Sequence, residues 1–283
     1  MNKRIILAIA GTILVFALFF FGKTTTSKKD IPTVTKAETP AFSINDTLIA
    51  EKKKLSPAHL LYVTNIENNI SRGDIKSQSE NQYTSLAIFW KDSVSSFIPY
   101  VYYLSEAAKL DNSEKKLTFA ARFLLENMKR EDNPNKKVWE AQTAANLFER
   151  ALKLDPENDD LKVGLGSCYV YGEGMIGNPG QTMKGIQELL EVVKKDSNNM
   201  QAQLVLGVGG VISNQFDKAI ERLNKVVSFD PHNLEAVSWL ADAYAAKDDK
   251  KNAIKWYEQS KHLVNNPEFS REIDERIKEV QNH

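Results

Sequence analysis

Apolar positions downstream of the first 43 residues recur at helical spacing. In "DDLKVGLGSCYVY", Leu161, Leu165 and Tyr169 lie four apart on one face, and "TMKGIQELLEVVKK" continues the pattern as a second helix. "SEKKLTFAARFLLENMK" reads as the partner of a helix over Lys136 to Leu154. Near the C-terminus Asn266 is placed to cap a helix with Pro267 in its first position and Phe269, Ile273, Ile277 and Val280 on one stripe. The pattern predicts an all-α chain.

The helical segments repeat in register. "AANLFERALKLDP" from Ala144, "GIQELLEVVKKDS" from Gly185, "AIERLNKVVSFDP" from Ala219 and "AIKWYEQSKHLVN" from Ala253 start 41, 34 and 34 residues apart. Between them fall "GLGSCYVY", "VLGVGGVI" and "WLADAYAA". The steps from Pro156 to Leu165, Ser197 to Leu206 and Pro231 to Leu240 are nine residues each. Ala144, Phe148, Ala151 and Pro156 complete one second-helix pattern, and Leu165, Gly166 and Tyr169 one first-helix pattern. On these residues the chain resembles the tetratricopeptide repeat family, with Gly210 and Asn265 standing where tyrosine and proline are usual. The resemblance implies a solenoid of helix-turn-helix units over 135–266 and a capping helix over 267–283, preceded by a helical region over 44–134 that holds a degenerate unit. The aromatics Phe89, Trp90, Phe97, Tyr100, Tyr102 and Tyr103 in that region read as core.

One stretch invites a different reading. "GEGMIGNPG", Gly172 to Gly180, matches the dinucleotide spacing G-x-G-x-x-G. That fingerprint has mechanical meaning only between a strand and a helix, and here a helix precedes it, so nucleotide binding is rejected. The seven surplus residues of this repeat widen the turn between its two helices from Tyr171 onward. Met175 and Ile176 at the tip of that loop are candidates for partner contact.

The remaining chemistry is sparse. His59, His232, His262 and His283 are scattered, and Cys168 is the lone cysteine, read as a small packed side chain. Neither HExxH, a Walker loop nor GxSxG occurs, so no catalytic, cofactor or metal site is expected and the domain is read as non-enzymatic. Lys plus Arg and Asp plus Glu number 37 each, a balance that disfavours nucleic acid as a partner.

The N-terminus sets the address. Ile5 to Gly22 is an apolar run broken only by Thr12, and as a helix it spans roughly 27 Å, the hydrocarbon thickness of a bilayer. Without a cleavage-site pattern after it, 1–22 is read as a transmembrane signal anchor and the Thr-, Lys- and Pro-rich 23–43 as a flexible stalk. The expected location is the bacterial inner membrane, single-pass, with the domain periplasmic; Lys23, Lys28, Lys29 and Lys36 on the far flank argue for the opposite orientation.

Function then falls to surface. The family resemblance implies a concave groove lined by first helices that holds a protein or peptide partner. The stripe opposite the Leu/Gly/Tyr packing face comprises Val163, Ser167 and Val170, then Leu204, Val208 and Val211, then Ser238, Asp242 and Ala245. Gly209 and Gly210 either leave a dip beside Val208 or relieve crowding between helices. The alternative is a self-associating spacer, a homo-oligomer joined through Met175, Ile176 and the aromatic helices, with no foreign ligand.

Overall fold

Three asparagines in register start three helices. Asn158, Asn199 and Asn233 each accept, through the side-chain oxygen, a hydrogen bond from the backbone N–H three residues on, at Leu161, Ala202 and Ala236. Each cap satisfies one of the four donors a helix N-terminus leaves unpaired, at about 1 kcal/mol apiece. The caps lie 41 and 34 residues apart, the phase of the repeat itself.

The computed structural model describes residues 42–72, 76–174 and 179–282. Its helices are α1 (Ile44–Lys52), α2 (Pro57–Arg72), α3 (Lys76–Phe89), α4 (Phe97–Asp111), α5 (Glu114–Met128), α6 (Pro134–Leu152), α7 (Asp159–Ser167), α8 (Pro179–Lys195), α9 (Met200–Ile212), α10 (Phe216–Phe229), α11 (Leu234–Ala246), α12 (Lys250–Leu263) and α13 (Pro267–Asn282). Among the described residues there is no strand. Two helices run on into π-helical turns, α3 through Trp90–Val94 and α7 through Cys168–Gly174.

The tightest packing is between consecutive helices: α3 with α4, α5 with α6, α7 and its π turn with α8, α9 with α10, and α11 with α12. First helices of successive pairs also touch, α5 with α7, α7 with α9 and α9 with α11, which makes the stack an all-α solenoid. Helices α1 and α2 cover its N-terminal end against α4 and α3, and α13 covers α12. The Asn266 side chain accepts from the N–H groups of Glu268 and Phe269, and α13 buries Ile273 and Ile277 on the last pair. One continuous core runs from Val101 to Leu240. A second gathers Leu48, Val63, Leu86, Phe89, Trp90 and Tyr103 at the N-terminal end, with Tyr100 and Tyr102 packed beside it.

Small residues set the helix spacing. A Cβ added to Gly166 on α7 would stand 2.6 Å from Leu189 Cγ and 3.0 Å from the Gly185 carbonyl oxygen on α8. The backbones of α7 and α8 therefore meet with no side chain between them, and Leu189 is packed in the space so defined. The turns inside the last two pairs place Asn214 (φ 58°) and Asp248 (φ 59°), 34 positions apart, in the left-handed region that short polar residues tolerate.

Two sequence expectations change here. Tyr171 to Gly174 are not the start of a widened turn: they prolong α7 as its π turn, because Gly172 is seated against Ala141 of α6 and Met128 of α5 and keeps the chain helical and buried. Met175 and Ile176 fall at positions 175–178, outside the described residues, as does the apolar run 5–22. Among the described residues no helix is long and apolar enough to cross a membrane.

The Gly166 contact gives a signed expectation. In an exposed helix Gly→Ala gains roughly 1 kcal/mol, but Gly166→Ala should destabilise by about 1–3 kcal/mol because the methyl has no room. Urea unfolding of the variant measures it, and a variant as stable as the parent contradicts the close approach.

Candidate functional site

The inner side of the stack is defined by what the other sides do. On α9, Gly207 and Gly210 face Leu223 and Ala219 of α10, while Gly209 faces Ile186 of α8. The opposite stripe, turned away from both second helices, is Gln201, Leu204, Val208 and Val211. Gln201 on this stripe is exposed, yet Leu204 is 3% and Val208 0% exposed.

The same holds on α7. Val163, Ser167 and Val170 are buried, the Ser167 hydroxyl donating to the Val163 carbonyl at 2.7 Å. Only Val211, Ser238, Asp242 and Ala245 of the stripe keep partial exposure. Asp242 is already engaged, accepting from the Tyr257 hydroxyl at 2.6 Å and from Arg276 at 3.1 Å. So the expected lining of an open groove is, at Val170, Leu204 and Val208, interior packing, while Val163 and Ser167, though largely buried, reach the wall of a cleft. Gly210 relieves crowding with the next helix, since a Cβ there would meet Ala219 at 3.0 Å, whereas at Gly209 the nearest atoms, of Ile186 and Val170, would stand at 3.6 Å.

A bridge joins distant helices of the stack. Lys129, which caps the C-terminus of α5, holds its ammonium 4.7 Å from the centre of the Tyr171 ring and pairs with Glu235 at 3.5 Å. The Tyr171 hydroxyl donates to Glu235, in the first turn of α11. Lysine at a helix C-terminus and glutamate at a helix N-terminus each complement the helix dipole as well as one another. Tyr171 is buried, and desolvation, then the Glu235 charge, push its pKa well up, so the hydroxyl remains a donor. Tyr171 is aimed by the π turn: one added residue rotates the following side chains by about 100° relative to a regular helix.

An opening remains on the N-terminal side of the bridge. A cleft of ≈ 420 Å³ is lined by Arg122 and Glu126 of α5, Asp160, Val163 and Ser167 of α7, and Gln201 of α9, with Phe148 in its wall. Arg122 and Asp160 face each other across it at 3.4 Å. Beside it on α5 stand Phe119, 57% exposed, and Phe123, 37% exposed, their rings stacked 6.4 Å apart. Phe123 is backed by Phe97 at 5.8 Å and Tyr100 at 5.4 Å from α4. Phe119 and Phe123 escaped the sequence reading, although they stand four apart and off the Leu117, Ala121, Leu124 stripe.

The buried chemistry of the site is structural. Cys168 is fully buried and desolvation pushes its thiol up, away from nucleophilic use. Glu140 on α6, next to the Ala141 that seats Gly172, is also fully buried; burial pushes its pKa up to about 7, only partly opposed by Asn127, which donates to both carboxylate oxygens at 3.0 Å. Among the described residues no three His, Cys, Asp or Glu side chains converge on a common point.

Comparison with known proteins agrees with this architecture. Residues 211–270, from the end of α9 to the start of α13, match the family model of the tetratricopeptide repeat. The helix pairs within these residues are similar to tetratricopeptide repeats. Among solved structures, TTC0263, a TPR protein of Thermus thermophilus, is 14% identical with a TM-score of 0.51, over 72% of this chain and 100% of that one. MamA from Desulfovibrio magneticus RS-1 is 22% identical over 68% of this chain and 96% of its own, with a TM-score of 0.46. YrrB, described as a TPR protein with an unusual peptide-binding site, is 19% identical over 69% and 91%, with a TM-score of 0.44. At 14% identity the likeness to TTC0263 is one of fold. No curated protein matches the chain.

Glu140 makes the π-turn seat sensitive to pH. Its carboxyl binds a proton in the folded chain up to about 7 but only to 4.5 when unfolded, so this group's contribution is full at low pH and is lost as pH rises through that window. Glu140→Gln, which keeps a partner for Asn127, should be more stable than the parent at about pH 8 and show a flatter stability profile down to about pH 5. Thermal unfolding across that range tests it; parallel profiles for the two proteins would contradict the assignment.

Proposed function

We propose that this chain is a non-catalytic scaffold that binds a protein or peptide partner on the inner side of its first helices, and that the apolar run 5–22 holds it at a bacterial membrane. The observation that carries the binding reading is the pairing of an open cleft across α5, α7 and α9 with two stacked, solvent-facing phenylalanines on α5. Aromatic side chains with a rigid backing are the usual energetic anchors of interfaces, and Phe97 and Tyr100 supply that backing here. The cleft mixes Arg122 with Glu126 and Asp160, which suits an uncharged or mixed-charge segment more than a strongly basic or acidic one.

The interior position of Leu204 and Val208 changes which substitutions report on binding. A charge at either site buries an unpaired ion and unfolds the chain, so loss of binding there means nothing. Phe119→Ala, Phe123→Ala and Gln201→Glu act on exposed or half-exposed surface.

Peptides selected from a random displayed library against the purified full chain test the reading. Phe119→Ala with Phe123→Ala should weaken the selected peptides by roughly 10- to 100-fold, with the helical circular dichroism unchanged. Peptides that bind the double variant as tightly as the parent place recognition elsewhere. For the anchor, protease added to intact spheroplasts should remove a C-terminal tag if the domain faces the periplasm, while protection until lysis puts it in the cytoplasm.

A further inference from the structure

The first turns of α2 expose side chains that a packed helix would cover. Ser56 caps the helix, its hydroxyl accepting from the His59 N–H at 3.2 Å, and Pro57 takes the first helical position. From there Val63, Ile66 and Ile70, three and four residues apart, turn into the N-terminal core. Leu60, Leu61 and Tyr62 fall off that stripe and stay exposed, Leu61 at 62%. Across a cleft of ≈ 480 Å³ that Tyr62 lines with Ala58 and His59, α3 adds Ile88, exposed at 54%. Further along α2 the exposed positions become Thr64, Asn65, Asn68 and Asn69, so the apolar surface is confined to one end of the helix.

Lysines border this tip. Lys52 ends α1, Lys53 caps it, Lys54 follows in the turn, and Lys91 lies three residues past Ile88 in the π turn. Glu67, Glu51 and Asp92 pair with Lys52, Lys54 and Lys91, while Lys53 makes no ion pair among the described residues. Four lysines against three carboxylates leave the tip net positive. Exposed apolar and tyrosine side chains within a lysine border suit the headgroup layer of a bilayer: the apolar groups enter it, and the lysine stems let the ammonium groups stay level with the phosphates. A two-fold contact with a second copy would instead set the same lysines against one another.

We propose that this tip, Leu60, Leu61, Tyr62 and Ile88 within their lysine border, rests on an anionic lipid surface. The inference rests on the membrane part of the proposed function: with 5–22 in the bilayer, residues 23–41 reach at most roughly 65 Å, which keeps lipid at hand for a contact too weak to hold the chain by itself. The α5–α7–α9 cleft shares no residue with the tip, so lipid contact and partner binding can coexist.

The full chain with a nitrobenzoxadiazole label at Leu61→Cys, reconstituted in vesicles of equal parts phosphatidylcholine and phosphatidylglycerol, tests the proposal. Cys168 is buried and leaves the introduced thiol to react alone. Lipid brominated in its acyl chains should quench the label at Leu61→Cys by roughly half or more, and the same label at Phe229→Cys, the 73% exposed residue ending α10, far less. Lys53→Glu with Lys54→Glu should bring the Leu61→Cys quenching down towards the Phe229→Cys value. Quenching no stronger at Leu61→Cys than at Phe229→Cys would overturn the proposal, and a label that is bright yet unquenched would put a second copy or another protein surface on the tip instead. Alkaline extraction of the same vesicles reads the anchor separately. A chain washed off the vesicles removes the anchor reading, whereas a chain that resists extraction with its Leu61→Cys label unquenched keeps the anchor and loses the tip.

Discussion

Everything in this stack depends on helices being allowed to approach one another at small residues. Where Gly166 meets Gly185, and Gly207 and Gly210 meet Leu223 and Ala219, the backbone itself forms the contact surface, and the large side chains Leu189, Leu223 and Phe148 fill the space this defines. A helix pair so fixed cannot bury its remaining face alone, which is why each pair needs the next and why the ends need α1, α2 and α13 as covers. Phe148 shows the coupling between pairs: it belongs to α6 and packs against Gly164 of α7, and it is fully buried.

The same constraint explains the departure in the third pair. Gly172 and Gly174 look, in isolation, like nucleotide-loop glycines. In the structure Gly172 admits Ala141 and Met128, and Gly174 admits Thr182, so the π turn can lie flat on α6 and α8. Once the turn is seated, Tyr171 is carried to the inner side, where Lys129 and Glu235 receive it. An insertion that chain entropy would tolerate as a loose loop is instead used in part as structure.

The period of the repeat was legible because it is written in three independent ways: the small-residue spacing, the Leu-Gly-x-x-Tyr element and, unnoticed in the sequence, the caps Asn158, Asn199 and Asn233. Exposure on the inner side was not legible. Helical spacing places Leu204 and Val208 on the inner stripe of α9, but their burial depends on packing between distant helices, and nothing in local spacing encodes a contact such as that between residues 129 and 235. Phe119 and Phe123 were missed for a related reason, since an aromatic in a helix is more often core; in the fold Phe97 and Tyr100 back Phe123 on one side, Phe119 stacks on Phe123, and both keep exposed surface. Asp242 reads as a groove charge in sequence and proves to be the anchor of Tyr257 and Arg276.

The central proposal is that recognition uses the inner side of the first helices, entered at the α5–α7 cleft. Hydrogen–deuterium exchange of the full chain with and without a selected peptide addresses that claim directly. Slowed exchange concentrated in α5 and α7, spreading into α9 when the peptide is long, is the expected result. Protection confined to the second helices α8, α10 and α12, with α5 and α7 unaffected, would contradict it.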